Sequence, residues 1–132
     1  MNIDYKKIKK IRLKKTKNYI FETTKNQDIL DICASKLKKD SSIVFLKLEN
    51  TDKTNLEISQ KLRQLCSIYE SILIIETRFD FVKILEADGI LLDHNSIPLK
   101  TIKKFLDEEH YFIYKKAKDE IGILDDFDLI IE

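Results

Sequence analysis

Glycine and proline are nearly missing from this chain of 132 residues, which has two Gly and one Pro. A sandwich or jelly roll built on many tight turns is therefore disfavoured. Tryptophan is absent, and the two cysteines, Cys33 and Cys66, are far apart and form no CxxC pair. Neither a zinc ribbon nor a disulfide scaffold is suggested, and the expected setting is reducing and cytoplasmic. No apolar run approaches the roughly 20 residues that a membrane span requires. No basic segment followed by a long apolar one reads as a secretory signal. What the chain does have is apolar bulk. Hydrophobic residues make up 43% of it, with seven Phe and five Tyr, which excludes a disordered chain. The length is that of one domain.

Charge is balanced in sum and uneven in place. The net charge is +1, yet residues 1–18 hold eight basic side chains against Asp4, a local +7. The rest of the chain, residues 19–132, is acidic at −6. The chain thus divides into a basic arm, 1–18, and a single α/β domain, 19–132. Such an arm can contact nucleic acid or an acidic membrane. The plainer reading is an arm that is solvated or lies on the acidic body, because the run is lysine-rich and arginine-poor.

Past the arm, two periods alternate. Tyr19–Thr23, Ile43–Leu48, Ile72–Ile75, Gly89–Leu92, Tyr111–Tyr114 and Asp128–Ile131 read as six strands, rich in β-branched and aromatic residues. Between them lie helical patterns. Asp28 offers an N-cap carboxylate ahead of Ile29, Cys33 and Leu37. Thr54 and Glu57 have capping-box spacing before Ile58, Leu62, Leu65, Cys66 and Tyr69. Phe79, Val82 and Leu85 suggest a short helix. Pro98 opens another, with Ile102, Phe105 and Leu106 on its apolar face. The segment 116–124 is read as a helix. Strand–helix units of this kind build parallel sheets. The fold class is therefore α/β, either an incomplete TIM-barrel-like sheet of about six strands or an open doubly wound sheet. Cys33 and Cys66 fall on apolar helix faces and belong to the core.

At Leu73–Pro98 the pattern becomes specific. It reads Leu73-Ile-Ile-Glu-Thr-Arg-Phe-Asp-Phe-Val82, then Ala87-Asp-Gly-Ile-Leu-Leu-Asp-His-Asn-Ser-Ile-Pro98. This resembles the thiamine phosphate synthase/TenI superfamily, in which a strand ending in Ile-Asn-Asp-Arg-Val-Asp precedes Ala-Asp-Gly-Val-His-Leu-Gly-Gln-x-Asp-Leu-Pro. The resemblance covers residues 19–132 and is that of a divergent, truncated member. It implies a (β/α)₈ barrel. One branch of the family joins a pyrimidine diphosphate to a thiazole phosphate with magnesium, and the other isomerises a thiazole carboxylate phosphate. Several positions depart from the family pattern. A Gln-Leu-Arg-x-Lys strand end becomes Phe45-Leu-Lys-Leu-Glu49, an Asn-Asp pair becomes Glu76-Thr77, and the Asp before Leu-Pro becomes Ser96.

In parallel α/β folds the site lies at the carboxyl ends of the strands. Those positions here are Glu22, Thr23, Lys47, Glu49, Glu76, Arg78, Asp93, His94, Lys115 and Lys116. The resemblance implies that Lys47, Arg78 and Lys115 hold phosphate and that Glu76 and Asp93 hold magnesium. His94, the one loop side chain there that titrates near neutrality, would carry a proton. A rim of mutual salt bridges is the competing reading. The expected ligand is a phosphorylated thiazole or thiamine phosphate. Three functions follow: an enzyme of thiamine biosynthesis, a non-catalytic binding or regulatory remnant of that family, and a nucleic-acid-binding module led by the arm. Strands one and six would be open edges, so self-association as a homo-oligomer, or cover by the arm, is expected.

Overall fold

The computed structural model describes residues 3–122 and 126–132. Six strands form one parallel sheet in sequential order: β1 (Asn18–Thr23), β2 (Ser42–Lys47), β3 (Ile72–Glu76), β4 (Gly89–Leu92), β5 (Tyr111–Lys115) and β6 (Leu129–Ile131). Helices α2 (Ile29–Lys39), α3 (Asp52–Ile68), α4 (Phe79–Leu85) and the four-residue α5 (Leu99–Ile102) make the crossovers. The result is an incomplete TIM-barrel-like sheet, and the doubly wound alternative falls because strand order never reverses.

Side chains alternate between two faces along each strand. Ile20, Val44, Leu46, Leu73, Ile75, Ile90, Leu92 and Phe112 pack under the crossover helices together with Cys33 and Cys66. Ile43, Phe45, Ile72, Ile74, Leu91, Tyr111, Ile113 and Ile131 form a second, inner cluster. Burial on both faces explains the continuous apolar runs of the central strands. It also accounts for Tyr111, Phe112 and Tyr114, which are all buried. Gly89 answers to a close approach rather than to a turn. A Cβ there would stand 2.2 Å from the Tyr111 carbonyl oxygen on the neighbouring strand.

Several helices differ from the sequence expectation. Helix α3 starts three residues early, because the Thr51 hydroxyl caps the Thr54 N–H at 3.2 Å and Thr54 is already helical. Asp28 precedes α2 but its carboxylate makes no cap bond; Asn26 Oδ1 instead accepts from the Asp28 N–H. Phe105 lies beyond the short α5, half exposed, stacked on Phe79 with centroids 4.9 Å apart. Residues 116–122 are not helical: Glu120 accepts from the Tyr114 hydroxyl and the Ala117 N–H, which holds the chain in turns. Residues 123 and 124 lie outside the described residues.

Most of the basic arm is a helix, α1 (Tyr5–Lys15), started by the Asp4 carboxylate accepting from the Lys7 N–H. It crosses the amino-terminal ends of the strands. The Lys9 ammonium donates to the His110 carbonyl and to Asp128 Oδ2, both at 2.8 Å, and is buried. It also lies 5.3 Å from the centre of the Phe112 ring. Asp128 in turn accepts from the Phe112 N–H at 2.8 Å. Leu13 of the same helix packs on the inner cluster. No helix among the described residues is long and apolar enough to cross a membrane.

Removing one partner from a buried pair strands the other charge, which costs about 3–5 kcal/mol. Lys9→Ala should therefore lower unfolding stability by about that much, with Asp128→Asn milder because an amide oxygen can still accept from Phe112. Denaturant titration of the three proteins checks this; an Ala variant within 1 kcal/mol of wild type would contradict the buried pair.

Candidate functional site

Parallel strands send all their carboxyl ends to one rim, and the period of two fixes which exits face inward. Lys47 continues the inner set Ile43, Phe45; Glu76 continues Ile72, Ile74; Asp93 follows Leu91; Lys115 continues Tyr111, Ile113. The pairing of Leu46 with Ile75 sets Lys47 beside Glu76. On β1, Phe21 belongs to the same face and stacks on Phe45 at 4.8 Å, which puts Thr23 at the inner exit. The structure thus gathers Thr23, Lys47, Glu76, Asp93 and Lys115.

The electrostatics agree with that convergence. Glu76 is half buried, and burial pushes its carboxyl above the usual range. Lys47 and Lys115 pull it back, while Asp93 and Glu49 push it further up. Four charged groups from three other strand ends therefore act on Glu76. Glu49 is not free: its carboxylate accepts from the Thr23 hydroxyl at 2.9 Å and pairs with Lys25 at 3.4 Å. The Thr23 bond is the main reason its carboxyl lies below the usual range. Glu22 takes a long bond from the Asn26 amide at 3.4 Å.

Arg78 and His94 stand outside the inner rim, and Asp93 is engaged within it. The Arg78 guanidinium grips Asp80 through two bonds, 3.0 and 2.8 Å, reaches Asp52 at 3.3 Å, and lies over the Phe81 ring of the outer core. It ties α4 to α3 and does not join the inner rim. His94 is exposed in the turn after β4. It stands near Glu120, whose carboxyl is held low chiefly by the Tyr114 hydroxyl, with smaller help from the Ala117 N–H, His94 and Lys116. Asp93 Oδ1 accepts from the Asn95 N–H and the Ser96 hydroxyl, at 2.9 and 3.1 Å, which folds that turn back on the rim.

Two features went unseen in the sequence. Buried Thr24 and Asn55 form a polar knot under the rim, with exposed Asn50 at its edge. The Thr24 hydroxyl donates to Asn55 Oδ1 at 2.7 Å and accepts from the Glu49 N–H at 2.7 Å, and Asn55 Oδ1 also accepts from the Asn50 N–H. It fixes the exits of β1 and β2 against the start of α3. Asn55, Ser59 and Leu62 on one helical face were the available signal. The second feature is Thr77, directly after Glu76, at φ 60° with the Arg78 N–H bonded to the Glu76 carbonyl at 2.7 Å. That is a γ-turn of the rare positive-φ form, strained for a β-branched residue.

Among the described residues no three His, Cys, Asp or Glu side chains converge as a metal cluster. Two inward carboxylates, Glu76 and Asp93, remain. Magnesium commonly takes one or two carboxylates with water and phosphate oxygens, so this pair fits it when a phosphorylated ligand supplies the rest.

The fold and rim define a class: a parallel strand–helix half-barrel with anion and cation groups at its carboxyl ends. No family model matches the chain. Curated relatives do. A thiamine-phosphate synthase of Nostoc sp. is 30% identical over 95 residues, 71% of this chain and 27% of the relative. That of Dictyoglomus thermophilum is 30% identical over 67 residues, 51% of this chain and 30% of the relative. The structure of thiamine phosphate pyrophosphorylase from Pyrococcus furiosus is similar in fold, with a TM-score of 0.68 at 19% identity, over 80% of this chain and 52% of that one. The chain belongs to the thiamine phosphate synthase/TenI superfamily. Its matched part spans about a quarter of the length of these curated relatives.

Because its folded carboxyl titrates above the unfolded one, Glu76 favours folding when protonated and loses that contribution as pH rises through its folded pKa. Glu76→Gln should therefore melt higher than wild type at pH 7, with the gap closing below the ordinary glutamate range. A variant that melts lower at pH 7 would contradict the burial. Thr77→Gly should raise the unfolding free energy by up to about 1 kcal/mol, and with it the thermal midpoint, since a left-handed residue costs roughly 1–2 kcal/mol and glycine returns part of that as unfolded entropy. A lower midpoint in thermal denaturation would show that the turn is not strained.

Proposed function

We propose that this chain acts in thiamine biosynthesis by binding a phosphorylated thiazole or thiamine phosphate at the inner rim. One observation carries the reading: Lys47, Glu76, Asp93 and Lys115 leave four successive parallel strands on the same concave face. The two ammonium groups bracket the carboxylates and would take the phosphate oxygens as point charges. Glu76 and Asp93 would hold a magnesium ion shared with the ligand; the ion would supply charge neutralisation for phosphate. His94, exposed beside the rim, would give or take a proton at the ligand edge.

The geometry favours binding over group transfer. Arg78 is engaged by two aspartates, so the cations on the inner face for a diphosphate are Lys47 and Lys115. We therefore read the chain as a binder of the product or of the thiazole half, with transferase turnover as the outcome that would overturn that part. Calorimetry with thiazole phosphate and thiamine phosphate, with and without magnesium, tests the site. Expected is magnesium-dependent heat that Lys47→Met and Lys115→Met each weaken at least tenfold. No heat with either ligand contradicts the reading. Pyrophosphate release from the pyrimidine diphosphate and thiazole phosphate together would show a working synthase.

Assembly is the second proposal. β1 is an open edge on which Tyr19 is 44% and Phe21 52% exposed. Pairing of two β1 edges would cover both rings. Sedimentation over a hundredfold concentration range should show self-association in the intact chain and its loss in Phe21→Lys. A wild-type monomer throughout would contradict it.

A further inference from the structure

The opposite end of the sheet carries a polar cleft that the rim chemistry leaves unused. Between α1 and the amino-terminal ends of the strands lie two cavities, about 540 and 740 Å³, that adjoin at Arg12, Arg63 and Asp88. Their sizes are those of small-molecule sites. Their linings differ in kind. The smaller adds Lys15 and the hydroxyls of Ser41 and Ser67. The larger adds the aromatic and apolar walls of Tyr5, Ile8 and Tyr111.

The cations of the smaller cavity hold unused donors. Arg12 reaches Asp88 only at 3.6 Å, and the other Asp88 oxygen already accepts from the Leu73 N–H at 2.7 Å. Arg63 is fixed in the wall by Nε donating to the Glu86 carbonyl at 2.9 Å and Nη1 donating to the Ser67 hydroxyl; Nη2 has no protein partner among the described residues. Lys15 is exposed and makes no ion pair among them. Against these three cations the same lining holds two carboxylates, Glu70 and Asp88, leaving an excess of positive charge. In the larger cavity Lys9 is already paired with Asp128 outside the lining, so Arg12, Arg63 and Lys83 meet three carboxylates, Glu86, Asp88 and Glu109, and the unmatched positive charge is at the smaller one.

We propose that this cleft binds a phosphorylated heterocyclic small molecule of the nucleoside monophosphate class. Its phosphate lies against Arg12, Lys15 and Arg63, taking charge-assisted bonds from the Arg12 guanidinium and from Nη2 of Arg63. Its ring lies against Tyr5 and Ile8 of the larger cavity, with the buried Tyr111 closing the floor. Binding is non-covalent: the one thiol in the lining, Cys66, is pushed up to about 12 by burial and is no nucleophile. The site is independent of the rim proposal, since it sits at the other end of the strands. Because α1 forms one wall, an occupied cleft fastens the basic helix to the body.

Adenosine monophosphate and inorganic phosphate are the probes, titrated into the intact protein by calorimetry and followed by thermal shift. Adenosine monophosphate should bind in a salt-sensitive manner, raise the melting midpoint, and outbind inorganic phosphate. Lys15→Met, which touches no structural pair, and Arg12→Gln should each weaken it at least tenfold. Absence of binding at millimolar adenosine monophosphate overturns the proposal. So does loss of binding in Lys47→Met with retention in Lys15→Met, which would put the anion at the rim. Equal affinity for the nucleotide and for inorganic phosphate overturns the aromatic half.

Discussion

Strand direction and side-chain alternation together govern this molecule. Six parallel strands in sequential order bring every carboxyl end to one rim and every amino end to one floor. The period of two then sorts each exit into an inner and an outer side chain. A one-residue shift of β2 or β3 against its neighbours would turn Lys47 or Glu76 toward the crossover helices and break the rim. The inner cluster below, from Ile43 to Ile131, keeps the register because each of those residues is buried only in this alignment.

The two ends of the sheet are held by different chemistry. At the rim the fixing groups are neutral: buried Thr24 and Asn55 bond to each other and to the Asn50 backbone, and the strained Thr77 turn holds Glu76 where it meets Lys47 and Lys115. At the floor the fixing group is a charge. Lys9 gives up solvent for a carboxylate, a carbonyl and an aromatic face, and so makes a lysine-rich helix part of the domain. Membership of the thiamine phosphate synthase/TenI superfamily rests on the matched sequence and fold, whereas the ligand assignments rest on these local arrangements.

The strands were legible because both their faces are covered, which leaves apolar runs that no surface helix would show. The motif from Leu73 to Pro98 was legible because its small residues answer to packing: Gly89 has no room for a Cβ, and Ala87 is buried where α4 meets the sheet. What stayed hidden depended on partners distant in the chain. Lys9 looks like one more solvated lysine until Asp128, 119 residues away, is placed beside it. Arg78 is the exception: it looks like a phosphate ligand although Asp80, two residues on, takes its guanidinium through two bonds, with Asp52, 26 residues upstream, adding a third. Asn55 looks like a surface residue of α3 until the β1 exit supplies Thr24. The segment after β5 carries helical residues, yet one Glu120–Tyr114 bond draws it into turns.

The central claim is that Lys47, Glu76, Asp93 and Lys115 share one concave rim. Following the Glu76 carboxyl by carbon-detected magnetic resonance through a pH titration tests it most directly. The account predicts a midpoint above the ordinary glutamate value, moved further up in Lys47→Met and back down in Asp93→Asn. A Glu76 midpoint that ignores both substitutions would mean that these strand exits do not meet.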